Sequence, residues 1–244
     1  MSHRGRCVTM PAARVNGSAS VSRRQLARMA LLRLIGSVVI LPALLILPAG
    51  TLAYWEAWAF LAIILIPMVL TTAILLARDP ELLERRLRAR EKDPAQGRIV
   101  ALAGIGFLAL LLIPAFDRRF GWSHVPLPAV IAADVVVLAA FGLFVRVLRE
   151  NRSASRVIEV QPGQRVVATG PYAVVRHPMY TAVALLSLAT PVALGSWWAF
   201  IPAGLLLVVL AERIKHEERM LLTELTGYRD YMRTTLYRLI PGVW

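Results

Sequence analysis

Cysteine is almost missing from this 244-residue chain: Cys7 is the only one, which excludes an intramolecular disulfide and a thiolate metal cluster. Histidine is scarce as well. His3, His124, His177 and His216 lie far apart, without the i,i+4 pairing of a zinc helix, so no metal site is expected. Charge is also in short supply. Only 18% of residues are Asp, Glu, Lys or Arg, against about a quarter in a soluble domain, while 57% are hydrophobic and the mean hydropathy is +0.60. Acid is scarcer than base, leaving a net charge of +13. That surplus would suit nucleic acid, but the Lys and Arg residues cluster at the ends of apolar blocks, where they set topology and meet anionic lipid. The composition therefore points to an all-α, polytopic integral membrane protein with no nucleic-acid partner.

What is present in quantity is long apolar sequence. Residues 1–30, with Arg4, Arg6, Arg14, Arg23, Arg24 and Arg28, read as a disordered basic tail. Residues 31–148 read as four transmembrane helices. The first two blocks, 34–52 and 53–77, form a tight hairpin turning near Gly50, and each supplies the roughly 20 residues that a span needs. The charged stretch 78–98 reads as an amphipathic cytoplasmic connector, and a solvated helical loop fits it equally well. Blocks 99–116 and 127–148 follow, separated by the poorly charged 117–126. Asp134 sits inside the last of these. An intramembrane acid points to function by default, although one near a helix end often only bonds a neighbour.

The final apolar region, 180–214, is split by Pro191 and Gly195-Ser196. Each half has about 15 residues, near 22 Å, short of the roughly 30 Å hydrocarbon core. The expectation is a helical hairpin anchored by Trp197 and Trp198 at its turn. Arginine-rich segments (the N-terminal tail, 78–98, 149–176, the C-terminus) alternate with poorly charged ones (near Gly50, 117–126, 195–196). By the positive-inside rule both termini are expected to be cytoplasmic.

The longest polar interruption of the second half runs from 159 to 180: E-V-Q-P-G-Q-R-V-V-A-T-G-P-Y-A-V-V-R-H-P-M-Y. Gly170-Pro171 signals a turn. Pro178 suits the first turn of a helix and pushes His177 out of the α region. His177 and Tyr180 are thus expected at a helix mouth, beside free N–H groups and a positive dipole end, which suits an anionic or strongly polar ligand. Beyond the hairpin, Arg213 and Glu217 are four apart and share a face, as do His216 and Met220. A solvated helix end explains these charges equally well. The C-terminal T-G-Y-R-D-Y-M-R-T-T-L-Y-R-L-I-P-G-V-W, with Tyr228, Tyr231, Tyr237 and Trp244, reads as an amphipathic cap folding back along the membrane.

The set T-G-P-Y and R-H-P-M-Y, then E-E-R-M-L at 217–221, then G-Y-R-D-Y and R-L-I-P, resembles the isoprenylcysteine carboxyl methyltransferase family, within a wider group that includes the phospholipid methyltransferases. The resemblance covers about 150–244; the first four spans share only hydrophobicity. It implies a methyltransferase-like catalytic region over 149–244 that binds S-adenosyl-L-methionine at the cytoplasmic face. The substrate would be lipid-like or prenylated and would enter from the bilayer. Carried over by motif, the cofactor residues are Gln164, Arg165, Val166, Val167, Tyr172, His177, Pro178, Met179, Tyr180 and Glu217, with Glu159 matched across a gap. Arg213 matches the substrate-side arginine and is assigned, with His177, to the catalytic set.

Methyl transfer from a sulfonium is an in-line displacement, so the protein mainly aligns the reactants and excludes water. A carboxylate acceptor is already ionised and needs no general base, and none is evident. Glu217 would take the cofactor's ammonium and Arg213 the acceptor carboxylate, while Tyr172 or Tyr180 would line the adenine or sulfonium region. Three other readings remain open. Methylation of a phospholipid amine would need a proton acceptor, for which His177 or Glu218 are at hand. Reduction of a sterol-type double bond with NADPH shares R-H-P-M-Y and R-L-I-P, but the chain shows no basic set for a 2′-phosphate. A non-enzymatic scaffold would leave the polar stretch without a ligand.

Overall fold

The computed structural model describes residues 22–88, 94–151 and 165–244. Every regular element among them is helical: α1 (Arg23–Ala49), α2 (Trp55–Arg78), α3 (Pro80–Arg88), α4 (Pro94–Phe120), α5 (Leu127–Glu150), a 3₁₀ turn (Gly170–Ala173), α6 (Pro178–Ala193), α7 (Phe200–Glu224) and α8 (Tyr228–Thr234). Four of these, α1, α2, α4 and α5, are long and apolar enough to cross a membrane, which makes the chain a multi-pass membrane protein. Their outward faces are apolar too, with Leu31, Val39, Ile66, Leu70, Ile105 and Leu138 all exposed. So large an apolar surface would aggregate in water but is what a lipid-facing helix presents, with its backbone groups bonded internally.

The boundaries differ in two places from those read off the sequence. Ser22 accepts a hydrogen bond from the Gln25 N–H (3.3 Å) and donates its own N–H to the Gln25 side chain (3.2 Å), a capping box that starts α1 at Arg23. Residues 23–30, assigned to the tail because of their charges, are therefore helical; residues 1–21 lie outside the described residues. In the connector 78–98, residues 80–88 form the amphipathic helix α3, as the first of the two readings had it, while α4 begins at Pro94, earlier than the expected 99; residues 89–93 lie outside the described residues. Leu83 of α3 is buried with Leu26 and Ala30 of α1.

Helix α5 packs most extensively on α6, α1 on α4, and α4 on α7. One end of the bundle gathers the tight turns. Asp117, almost fully buried, accepts from the Ser123 N–H (2.7 Å), the Ser123 hydroxyl (2.6 Å) and the Ser196 hydroxyl (2.5 Å). Tyr54 donates to the Leu194 carbonyl (2.6 Å), and Arg118 to that of Ala53 (2.8 Å). These bonds tie the α1–α2, α4–α5 and α6–α7 connections together. Trp197 and Trp198 are exposed at the last of them, as interface anchors should be. The opposite end holds α3, the 165–177 segment, the polar end of α7, and α8 with the C-terminus. Asp134 leaves one buried carboxylate oxygen without a hydrogen-bond partner among the described residues, and it lines neither the cavity beside His177 and Glu217 nor the one beside Tyr54 and Asp117.

Candidate active site

Proline at position 178 sets the local geometry. It occupies the first turn of α6, and His177 before it is non-helical (φ −124°, ψ 61°). His177 is buried, with its N–H donating to the Arg238 carbonyl (3.0 Å). Upstream, Gly170 opens the 3₁₀ turn with φ +57°, a conformation that favours glycine. A Cβ there would lie 2.8 Å from the Glu150 carboxyl group, which already accepts from the Thr169 hydroxyl. Gly170→Ala is therefore expected to lower stability by about 1–2 kcal/mol from the left-handed backbone alone, read as a lower thermal midpoint in lipid nanodiscs.

Glu218 is the centre of the buried polar network. It is 4% exposed. Its Oε1 accepts from Arg176 Nε (2.8 Å) and its Oε2 from Arg238 Nε (2.7 Å). His177 Nε2 lies 3.3 Å from Oε1. An ionised carboxylate only accepts, so the imidazole carries a proton on Nε2 and turns Nδ1 toward Glu217, whose Oε1 is 4.0 Å away. Burial pushes the Glu218 carboxyl up, but the hydrogen bonds from His177, Arg238 and Arg176 bring it down to about 2. Arg176 also donates to the carbonyls of Thr235 (3.0 Å) and Leu236 (2.6 Å), and its N–H to that of Tyr237 (2.9 Å). The C-terminal segment is thereby laid against the mouth of α6, and Arg238 stacks 5.2 Å over the Trp244 ring.

Beside this network opens a cavity of about 560 Å³. On its polar wall, Tyr180 donates to Glu217 Oε2 (2.5 Å) and accepts from Arg213 Nε (2.9 Å), so phenol, carboxylate and guanidinium form one chain between α6 and α7. Arg165, Val166, Val167, Tyr172, His177 and Met179 line the cavity as well. Pro178 does not; it is buried as the opening residue of α6. Glu159 and Gln164 lie outside the described residues. The other wall is apolar, built from Ile99, Val100 and Ala103 of α4, Val183 of α6, and Leu206 and Val209 of α7.

The phenols are not bases at neutral pH. Burial raises Tyr172 above its ordinary value, against a hydrogen bond from the Asn151 amide (3.1 Å), and raises Tyr228 as well. It pushes Tyr231 up to about 12. The Tyr228 hydroxyl is buried without a hydrogen-bond partner among the described residues, and Tyr228 is one of the residues that line the cavity. With the carboxylate of Glu217 and the ring faces of Tyr172 and Tyr180, the wall fits a ligand carrying both positive charge and hydrogen-bond acceptors. Among the described residues no group of three metal-ligating side chains occurs.

Some lining residues were not singled out from the sequence. Asn151 and Arg86 reach the cavity from the end of α5 and from α3, and only tertiary packing brings them there. Arg176 stands one residue before His177 inside the R-H-P-M-Y string, where its neighbour attracts the attention. Against known proteins, residues 129–223 match the model of the Isoprenylcysteine carboxyl methyltransferase (ICMT) family. No curated protein matches the chain. The match begins within α5, one helix earlier than the motif-bearing stretch, and ends before G-Y-R-D-Y and R-L-I-P. It gives no support to the sterol-reductase reading.

Proposed function

We propose, from the match of residues 129–223 to the isoprenylcysteine carboxyl methyltransferase family model, that the chain esterifies the carboxylate of a lipophilic substrate with the methyl group of S-adenosyl-L-methionine. Residues 149–244 form the catalytic region, residues 31–148 the scaffold in the bilayer, and both termini and the cavity mouth face the cytoplasm. The observation that carries this reading is the two-sided cavity. Its polar wall holds Glu217, Tyr180 and Arg213, and its other wall is the apolar flank of α4, α6 and α7. A polar donor and an apolar acceptor can meet only where two such walls share one space.

When bound, the cofactor supplies an electrophilic methyl group on a sulfonium. Glu217 receives its ammonium. Tyr172 and Tyr180 offer ring faces beside the positive sulfur, and Arg165, Val166, Val167 and Met179 close the pocket around it. Arg213, its Nε held by Tyr180, lines the cavity as the substrate-side cation that meets the acceptor carboxylate. Because a carboxylate arrives ionised, no side chain has to remove a proton. That suits a wall whose phenols stay protonated and whose nearest buried carboxylate, Glu218, is held by three hydrogen-bond donors with a pKa of about 2. An amine acceptor would need a base, and Glu218 is too acidic to serve.

The test supplies purified protein in nanodiscs with methyl-labelled donor and an N-acetylated S-prenylcysteine. The expected product is an ester whose label mild base releases as methanol. Label held on a lipid amine, resistant to base, would replace this reading with amine methylation. Arg213→Lys is expected to lower kcat/KM by about tenfold to a hundredfold, since it keeps the charge but loses the planar fork.

A further inference from the structure

A second cavity, of about 460 Å³, lies at the end of the bundle away from Glu217, where the three tight turns meet. Its wall includes Tyr54 and Glu56 at the start of α2, Arg118 near the end of α4, His124 in the α4–α5 connection and Gly195 in the α6–α7 connection. The polar groups of this wall are unequally satisfied. Asp117 is taken by the donors of Ser123 and Ser196, and the Tyr54 hydroxyl by the Leu194 carbonyl. Glu56 accepts no hydrogen bond among the described residues. Its Oε2 is enclosed without a partner, and its Oε1 has the Arg118 Nη1 at 3.9 Å, beyond hydrogen-bond reach.

Arg118 does not close on the acid because other groups hold it. Its Nη2 donates to the Ala53 carbonyl (2.8 Å), and its guanidinium lies 5.8 Å over the Tyr54 ring. The side chains of Arg118 and Glu56 are 40% and 14% exposed. A carboxylate and a guanidinium thus line one space side by side without a bond between them. A covered carboxylate without donors is costly, and a ligand that brings N–H groups relieves that cost.

The surroundings fix the depth of this space in the bilayer. Five of the six tryptophans, Trp55, Trp58, Trp122, Trp197 and Trp198, stand in or just beyond the same three connections, and all five are exposed. Tryptophans gathered in this way mark the headgroup level of a membrane. Trp55 and Leu127 line the cavity and are also exposed, which gives acyl chains a path from it into lipid.

We propose that this cavity binds the headgroup of an ethanolamine phospholipid, with its ammonium on Glu56 and its phosphate on Arg118 and His124. A primary ammonium donates the hydrogen bonds that Glu56 lacks, and the phosphate accepts from the guanidinium beside it. The trimethylammonium of choline has no N–H to donate. A purely anionic headgroup would bring like charge to Glu56. The site is separate from the cavity of Glu217 and involves no methyl transfer.

The experiment uses the full chain without methyl donor, in nanodiscs mixing phosphatidylcholine with phosphatidylethanolamine or phosphatidylglycerol of the same acyl chains. Native mass spectrometry reads the lipid retained, and the thermal midpoint reads its effect. Wild type is expected to retain phosphatidylethanolamine over phosphatidylcholine by about tenfold, the scale of one hydrogen bond to a charged group, with a raised midpoint. Glu56→Gln should abolish that preference, His124→Ala should reduce it, and Glu217→Ala, in the other cavity, should leave it intact. Soluble O-phosphoethanolamine is added to phosphatidylcholine nanodiscs to separate the headgroup from the lipid. A midpoint raised in wild type but not in Glu56→Gln would support the same ammonium–phosphate chemistry from a free source. Equal retention of the ethanolamine and choline lipids by wild type, with no response to the soluble headgroup, overturns the proposal, whether or not Glu56→Gln folds. Preference for phosphatidylglycerol overturns it as well, since the wall would then read anionic charge alone. So does an ethanolamine preference that survives Glu56→Gln or disappears in Glu217→Ala, because the lipid would then sit elsewhere.

Discussion

Glu218→Ala is expected to be the most destabilising single substitution at this end of the molecule, lowering stability by about 3–5 kcal/mol. The cost comes from what it leaves behind. Arg176 and His177 are buried, with side chains 6% and 5% exposed, and Arg238 is partly covered at 31%. Without the carboxylate, two guanidiniums and an imidazole N–H converge on a space with no acceptor, and the C-terminal segment loses the Arg238 clamp. Glu218→Gln keeps the volume and one acceptor oxygen, so it should fall between alanine and wild type. The readout is the thermal midpoint in nanodiscs, with Arg238→Ala expected to shift it less because that partner already meets solvent.

The same carboxylate sets an acid limit. The folded-state pKa of Glu218 is depressed from the ordinary 4.5 to about 2 by its three partners, despite burial. A depressed carboxyl contributes stability that is complete above the unfolded pKa and is lost as pH falls through the folded one. Wild type should therefore lose stability progressively between pH 4.5 and 2. Glu218→Gln should show a flatter dependence across that window. Equal slopes would mean that the three donors do not hold this group.

The spans were legible because bilayer thickness demands long apolar runs, and a run can be seen in one dimension. The mouth of α6 was legible for a similar reason: Pro178 acts on its immediate neighbours. Arg213 and Glu217 could be paired because four residues is about one turn of helix. Glu218 was harder. It follows Glu217 directly, yet one residue is about 100° around a helix, so it faces Arg176 and the C-terminal segment instead of the cavity. Nothing local separates the two acids. Arg86 shows the remaining limit. Its sequence neighbours mark a charged connector, and its contact with Met179 spans 93 positions. The start of α1 was different, since S-R-R-Q at 22–25 is a capping box in plain text, obscured by the surrounding arginines.

Loss of cofactor binding is the second large effect. Glu217→Ala is expected to weaken S-adenosylhomocysteine by about tenfold to a hundredfold in isothermal titration, the range for one hydrogen bond to a charged group. Glu217 is 25% exposed at its side chain, as a residue open to a cavity should be. Its Oε2 is engaged by Tyr180 (2.5 Å), while Oε1 stands 4.0 Å from His177 Nδ1. Two effects of the alanine have to be separated, because removing the carboxylate also frees the Tyr180 hydroxyl that positions Arg213. Tyr180→Phe keeps the ring and deletes that bridge. If Glu217 binds the ammonium directly, Tyr180→Phe should lower kcat more than it lowers nucleoside affinity, and Glu217→Ala should do the reverse. Should both variants lose affinity alike, Glu217 acts only through the phenol, and the ammonium partner must be sought elsewhere on the wall. Equal affinity for wild type and Glu217→Ala would remove this residue from the cofactor site.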